Sequence, residues 1–325
     1  MPKNFASRGG IFARGAHMRV CAETISPPEI STIPYSTTPI FFEPSKSIEN
    51  IGISIFFILR MRVNVLDITP MDIESFKIFI NQLADLSGEY IASAFGKRHS
   101  IDFKKDNSPV TEVDRNVEAM IREAISKKFP EHGIIGEEFG NINESSEFQW
   151  VLDPIDGTKS FISSVPLFGT LIGLTYRNKP ILGLINQPIL KERIVGDCQS
   201  CLFNGKPVAP SKKNDLDGIT LLTSDSRHCS NLRTEKGWRE LENRAAIART
   251  WGDCYGYMLL CRGCAHVMCD AVLEVWDFTA LLPALQGAGV AYSDWRGGTN
   301  FGHDGGLVAS CTPELHAKVL EVLNV

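Results

Sequence analysis

Apolar residues recur at three- and four-residue steps from Ile73 through Phe76, Phe79, Ile80, Leu83, Leu86 and Ile91 to Phe95, the spacing of one helical face. The same spacing predicts a second helix over Asp114–Phe129, with Val117, Met120, Ile121, Ala124 and Ile125 on one face and Pro130 and Gly133 ending it. Two short apolar runs, Ile134–Ile135 and Trp150–Leu152, each deliver acidic residues at their ends. From Leu167 to Leu190, β-branched and apolar residues separated by Gly, Asn and Pro predict several strands. A hairpin is expected over Arg193–Val208, turning at Asn204–Gly205. Further helices are predicted over Glu235–Ala245, Gly256–Ala265 and Phe278–Gly287, the last entered directly from Trp276–Asp277. Such mixed elements, with no internal repeat, favour a layered α/β or α+β sandwich.

Residues 1–70 break this pattern. They are rich in Ser, Thr and Pro, and Pro27, Pro28, Pro34, Pro39 and Pro44 would interrupt any regular element. A disordered extension is expected there, or a misassigned start with Met61 or Met71 as the alternatives; a transit peptide fits less well, for want of an Arg-rich amphipathic helix. The most apolar run, Ile51–Leu59, is shorter than the roughly 20 residues that span a bilayer, and Arg60, Met61 and Arg62 follow it. No membrane association or export is expected, which places the nine cysteines as thiols in a reducing cytoplasm. The 325 residues carry 33 Lys+Arg against 38 Asp+Glu, a net charge of −5, without the basic excess on which nucleic-acid binding depends.

Candidate chemistry concentrates in Trp150–Phe161, WVLDPIDGTKSF. An apolar strand ends at Asp153, Pro154 stiffens the turn, Asp156 follows, and Gly157–Thr158 can open a helix. Two carboxylates on a stiff turn make a hard-oxygen chelate suited to Mg²⁺, and amide groups at a helix start suit phosphate. A helix cap beside a solvated turn aspartate fits the same residues equally well. Other acids also stand at element boundaries: Glu137 and Glu138 after Ile134–Ile135, Asp277 before an Ala/Leu-rich helix, and Asp114 after Ser108-Pro109-Val110-Thr111. Each has a reading as a cap or surface charge, but together their types match a multi-metal phosphoester site.

The ordered set SPVTEVD, GEE, DPIDGT and WD before a Gly-rich segment closely resembles the inositol monophosphatase-like, Mg²⁺-dependent phosphatase superfamily, over roughly residues 72–325. The resemblance implies a five-layered α/β/α/β/α sandwich over 71–325, with halves of about 71–210 and 211–325 and the site between them. It implies that Glu137, Asp153 and the Ile155 carbonyl hold one Mg²⁺ and that Asp153, Asp156 and Asp277 hold a second, with a third touching Glu137 through water. Thr158 paired with Asp114 would orient the attacking water, Gly157 and Thr158 would meet the phosphate, and Mn²⁺ could replace Mg²⁺. Inhibition by Li⁺ and a homodimer are also family expectations.

Within the superfamily, DPIDGTKSFISSVPLFGTLIGL, RTWGDCYGYMLLCRG, WDFTALLPALQGAG and DWRGG look most like bacterial histidinol-phosphatases, enzymes of histidine biosynthesis. On this resemblance Asp253 pairs with the amino group of histidinol phosphate, and Asp270 occupies the position where inositol enzymes carry a hydroxyl-binding Glu. A cap for the run Tyr255–Leu260 remains open for Asp253, as does an exposed salt bridge rather than a substrate contact for Arg249. Gly287-Ala288-Gly289-Val290 departs from the usual Gly-Gly and puts the local turn in doubt, while Lys104 and Lys105 compete for the lysine expected before SPVT. Inositol 1-phosphate or a broad range of sugar phosphates is the alternative substrate class. A bisphosphate nucleotidase would need a basic cluster that the chain lacks. From a different class, Cys198–Cys201 and Cys261–Cys264 form two C-x-x-C pairs that elsewhere build a zinc module, although Cys261 falls in an apolar helical run.

Overall fold

A computed structural model describes residues 70–104, 108–302 and 304–324. The extension expected over residues 1–70, with Met61 as an alternative start, lies outside them except for Pro70.

Two helices open the described fold. In α1 (Pro70–Ala94), Phe76, Phe79, Ile80, Leu83 and Ile91 are buried, whereas Leu86, expected on the same face, is 40% exposed. Strands β1 (Ile101–Phe103) and β2 (Pro109–Thr111) form a small antiparallel pair and lead into α2 (Glu112–Lys128). This second helix starts two residues before the predicted Asp114, because the Thr111 hydroxyl caps it and Asp114 closes a capping box. Its inward face is Val113, Val117, Ile121 and Ile125, and two acids, Asp114 and Glu118, are buried with them.

Eight strands form the large sheet, in the order β10-β9-β8-β7-β6-β5-β3-β4. They are β3 (Gly133–Gly136), β4 (Gly140–Ile142), β5 (Phe148–Asp156), β6 (Gly169–Tyr176), β7 (Lys179–Gln187), β8 (Glu192–Gly196), β9 (Cys201–Phe203) and β10 (Lys206–Pro207). The hairpin turn expected at Asn204–Gly205 is present, with both residues at positive φ. A five-residue helix, α3 (Thr158–Ile162), follows β5. Helices α1 and α2 cover one face of the sheet through a core of Phe76, Ile80, Leu83, Val117 and Ile121 against Trp150, Leu152, Ile172 and Leu184.

The second sheet, in the order β12-β11-β13-β15-β14, uses β11 (Ile219–Leu222), β12 (Ala245–Arg249), β13 (Val267–Asp270), β14 (Ala291–Ser293) and β15 (Leu307–Ser310). Helices α4 (Glu235–Arg244) and α7 (Pro313–Leu323) pack against it, and α5 (Asp253–Cys261) and α6 (Val275–Ala288) lie between the two sheets. Helix α5 begins three residues earlier than predicted, at Asp253 rather than Gly256, and ends four earlier, at Cys261 rather than Ala265. Helix α6 begins at Val275, so Trp276 and Asp277 lie inside its first turn rather than before it. Its C-cap is Gly289 at φ 85°, which keeps the turn that Val290 had put in doubt. The expected layering α/β/α/β/α is the observed one.

A row of glycines brings α6 close. Gly173, Gly183 and Gly196 face one another directly across β6, β7 and β8. A Cβ on Gly183 would stand 1.9 Å from the Ala280 carbonyl oxygen, and one on Gly196 would stand 2.3 Å from the Ala284 Cα. The missing side chains form a groove in the sheet, and the helix carrying Asp277 lies in it. No helix among the described residues is long and apolar enough to cross a membrane.

Candidate active site

Asp153 and Asp156 are three residues apart on β5, and in a regular strand that spacing sends side chains to opposite faces. The ladder with β6 slips between them: Asp153 pairs with Leu171, but Asp156 pairs with Gly169, two residues on rather than three. The extra residue is a bulge at Pro154–Ile155, which turns both carboxylates to the same side. Pro154 has no N–H to lose from the ladder there, and its carbonyl accepts from the Thr170 hydroxyl at 2.9 Å. Asp277 arrives from the first turn of α6, where its Oδ2 accepts from the Glu274 N–H at 2.8 Å. Ligand oxygens of Asp153, Asp156 and Asp277 all lie within 4.8 Å of one another, the one such group among the described residues. Glu137 leaves the end of β3 alongside, its N–H donating to the Leu152 carbonyl of the parallel neighbour β5. The Asp153 carboxyl is within hydrogen-bonding reach of both Glu137 and Asp277.

This corner is short of positive charge. Burial pushes the Asp153 carboxyl well above its ordinary range, and Glu137, Asp156 and Asp277 add repulsion. Burial does the same to Asp156, with Asp253 and Asp277 adding to it, and raises Asp277 to about 7. Among the described residues one ammonium answers: Lys104 Nζ lies 2.6 Å from Glu137 and 2.7 Å from Glu138. Burial works against that ammonium, but the two glutamates outweigh it and its pKa rises. Of the two lysines that the sequence left open, Lys104 stands at this corner, and Lys105 lies outside the described residues. An all-oxygen donor set, buried and mutually repelling, fits hard divalent cations.

The remaining predicted catalytic groups meet beside it. Asp114 is buried, with Oδ2 accepting from the Thr111 N–H and hydroxyl at 2.9 and 2.6 Å. The Thr158 hydroxyl stands 3.3 Å from Asp114 Oδ1 and 3.0 Å from the Ile155 carbonyl oxygen, so one proton faces two acceptors. Gly157 precedes it at φ 87°, and its missing Cβ leaves room for Asp253 Oδ2, which would otherwise be 2.8 Å away. Helix α3 is too short to build much dipole, so anion attraction at Gly157 and Thr158 rests chiefly on cations at the neighbouring carboxylates.

Asp253 thus reaches the turn of DPIDGT from the opposite layer. Its own N–H donates to the Ser224 hydroxyl at 2.7 Å, while the Cys254 N–H donates to Asp156. Burial and then Asp270 raise the Asp253 carboxyl to about 7, against the pull of Lys159. Asp270 is more committed: Oδ1 accepts from the Ser224 N–H at 2.8 Å and Oδ2 from the Tyr257 hydroxyl at 2.9 Å. Neither Ser224 nor Tyr257 was singled out from sequence, because nothing local marks a serine after β11 as the anchor of two distant aspartates. Arg249 ends the edge strand β12, exposed, its guanidinium donating to the adjacent Ala248 carbonyl at 2.7 Å and its own carbonyl accepting from the Thr223 N–H at 3.2 Å, one residue before Ser224.

The four cysteines of the C-x-x-C pairs do not gather into a zinc site. Cys201 and Cys261 meet within the core, Cys198 is half-buried, and Cys264 is exposed with its sulfur 3.9 Å from the Arg262 carbonyl. Its contact with Cys201, and then burial, push the Cys261 thiol up, so it stays protonated.

The layered sandwich and its buried acidic corner define an α/β metallophosphatase type of site. A family model for the inositol monophosphatase family matches residues 72–324, and the chain belongs to that family and with it to the phosphoric monoester hydrolases. The chain is 38% identical to the "Bifunctional phosphatase IMPL2, chloroplastic" of Arabidopsis thaliana, over 79% of this chain and 78% of that one. It is likewise 38% identical to a histidinol-phosphatase of Chlorobaculum parvum, over 70% of this chain and 89% of its relative. Among solved structures, an inositol monophosphatase from Zymomonas mobilis superimposes with a TM-score of 0.69 at 33% identity, covering 78% of this chain and 98% of that one.

Proposed function

We propose that the chain hydrolyses L-histidinol phosphate to L-histidinol and phosphate, with Mg²⁺, replaceable by Mn²⁺, held by Glu137, Asp153, the Ile155 carbonyl, Asp156 and Asp277. Bound there, such ions would neutralise the charge of the ester and lower the pKa of a water molecule. The chain's own groups do the positioning. The Thr158 hydroxyl would direct its hydrogen bond to Asp114 Oδ1, leaving the Ile155 carbonyl free to hold a cation, and would keep a lone pair to accept from the attacking water. Thr111 fixes Asp114 from the other side, so this relay has one orientation.

The observation that carries the substrate assignment is Asp253 Oδ2 pressed against Gly157, with Asp270 behind it. A substrate with phosphate at one end and an ammonium at the other matches a site whose metal corner and second acidic pole are adjacent. Asp270, with both oxygens engaged by Ser224 and Tyr257, holds that pole in place, and Asp253 meets the ammonium. The 38% identity to a histidinol-phosphatase supports the assignment. Parallel phosphate-release assays on histidinol phosphate, inositol 1-phosphate and 3′-phosphoadenosine 5′-phosphate test it. The highest kcat/KM is expected for histidinol phosphate; a higher value on inositol 1-phosphate would replace the substrate and leave the phosphatase chemistry standing.

A further inference from the structure

One buried acid belongs to no step described so far. Glu118, one turn beyond Asp114 on α2, is fully buried, a costly place for a carboxylate unless its oxygens are all used. They are used on one object. Oε2 accepts from the Glu138 N–H at 2.8 Å and Oε1 from the Phe139 N–H at 3.2 Å, while Arg122 Nε donates to Oε1 at 2.7 Å. Glu137, Glu138 and Phe139 form the tip joining β3 to β4, beyond the last paired residues Gly136 and Gly140, so the Glu138 and Phe139 amides have no ladder partner there. Arg122 closes the arrangement by donating to the Gly140 carbonyl and lying near the Phe139 ring. The sequence also makes room for it: a Cβ on Gly136 would stand 2.1 Å from Glu118 Oε1.

The tip is therefore fixed from two sides. The Glu137 N–H is held by the Leu152 carbonyl of β5, and the next two amides are held by Glu118 from beneath. Those anchors fix the Glu137 backbone, from which its carboxylate reaches Lys104 Nζ at 2.6 Å on the side where Asp153 also lies. We infer that Glu118, braced by Arg122, is the positioning residue that sets Glu137 for metal binding, so that α2 serves the site at two successive turns: Asp114 toward Thr158 and Glu118 beneath Glu137. This inference rests on Glu137 being a metal ligand, as proposed above.

Titration of the purified full chain with Mn²⁺, followed by electron paramagnetic resonance of the free ion, tests it without reference to turnover. Glu118→Gln keeps the shape but turns an amide NH₂ toward a backbone donor, and Mn²⁺ affinity is expected to fall about tenfold, the lower end of what outer-shell groups contribute. At saturating Mg²⁺ the KM for substrate should stay unchanged. Ile121→Val, an equally buried change on the same helix, is expected to lower Tm while leaving Mn²⁺ affinity alone. Should Glu118→Gln fail to fold, Arg122→Gln, a change nearer the surface, is expected to weaken Mn²⁺ binding in the same sense by loosening the brace. A folded Glu118→Gln or Arg122→Gln protein with wild-type Mn²⁺ affinity would overturn the inference. Glu137→Gln separates the two levels: if it too leaves Mn²⁺ binding intact, the ligand assignment of Glu137 falls and takes the inference with it.

Discussion

Two groups of aspartates face each other across the Gly157 turn, and they are built on opposite principles. Asp153, Asp156 and Asp277 are crowded on one another, with Lys104 touching only Glu137 and Glu138. Asp270 on the other side has a donor for each oxygen, and its Ser224 anchor also takes the Asp253 N–H. The first group is electrostatically unfinished without cations, whereas in the second Asp270 is already satisfied by protein and holds Asp253 under its repulsion. A carboxylate's burial therefore does not by itself mark its role. What distinguishes a ligand awaiting an ion from a structural anchor is whether hydrogen-bond donors or other carboxylates surround it.

The contrast can be broken most sharply at Asp153. Asp153→Asn should reduce phosphate release on the order of 10³-fold or more, given that metal stabilisation of the transition state is worth several kcal/mol and each 1.36 kcal/mol is tenfold. The same change removes repulsion, so it should raise the Tm of the metal-free protein at pH 8, measured by calorimetry in chelator. Asp270→Asn should do the reverse, lowering Tm by the loss of about 1–3 kcal/mol as an amide replaces an acceptor of two donors. If both substitutions moved Tm in the same direction, the distinction drawn here would fail.

Geometry can be tested apart from charge. Gly183→Ala forces a methyl against the Ala280 carbonyl and should cost about 1–3 kcal/mol or more from overpacking, shifting α6 and with it Asp277. Urea unfolding and Mn²⁺ affinity should both decline; stability lost with Mn²⁺ affinity intact would show that the glycine row does not set the position of Asp277.

The pH dependence follows from the same crowding. In the metal-free protein Asp277 and Asp253 are raised to about 7 from an ordinary 3.8, chiefly by burial. Between about pH 4 and 7 the folded chain thus keeps protons that the unfolded chain has released, and stability declines as pH rises through that window. Chelated protein should melt at a lower temperature at pH 8 than at pH 5, and Mn²⁺ should recover most of the difference. A flat or rising profile would contradict the crowding. The smallest effect belongs to Asp253→Asn, expected to raise KM for histidinol phosphate about 10-fold, the weight of one hydrogen bond to a charged group, with little change for inositol 1-phosphate. Equal losses on both substrates would remove the ammonium-pairing role.

Much of the framework was legible along the chain. Periodicity found α1 and α2 because each buries one face, the β6–β7 region showed as apolar runs because both faces of those strands are buried, and GEE, DPIDGT and WD stood out because acids at the ends of apolar runs are conspicuous. The boundaries were less legible where a cap lay inside the pattern: Thr111 starts α2 and Val275 starts α6 ahead of the acids that seemed to mark them. Strand β13 and helix α7 passed unmarked because they are short or late segments whose burial depends on partners distant in sequence. Glu118, Ser224 and Tyr257 were missed for a related reason. Each is an ordinary polar residue in its local context and acquires its meaning from atoms 13 to 46 positions away.

What the sequence alone determined was the inventory: hard-oxygen ligands on stiff turns and apolar faces that favour a layered sandwich. Those follow from local chemistry and short-range periodicity, which a linear chain carries in full. Only the tertiary structure decided which acids converge and which are already satisfied. Convergence depends on a one-residue slip in the β5–β6 register and on how closely α6 lies in the glycine groove, and both are settled by packing between segments that share no local signal.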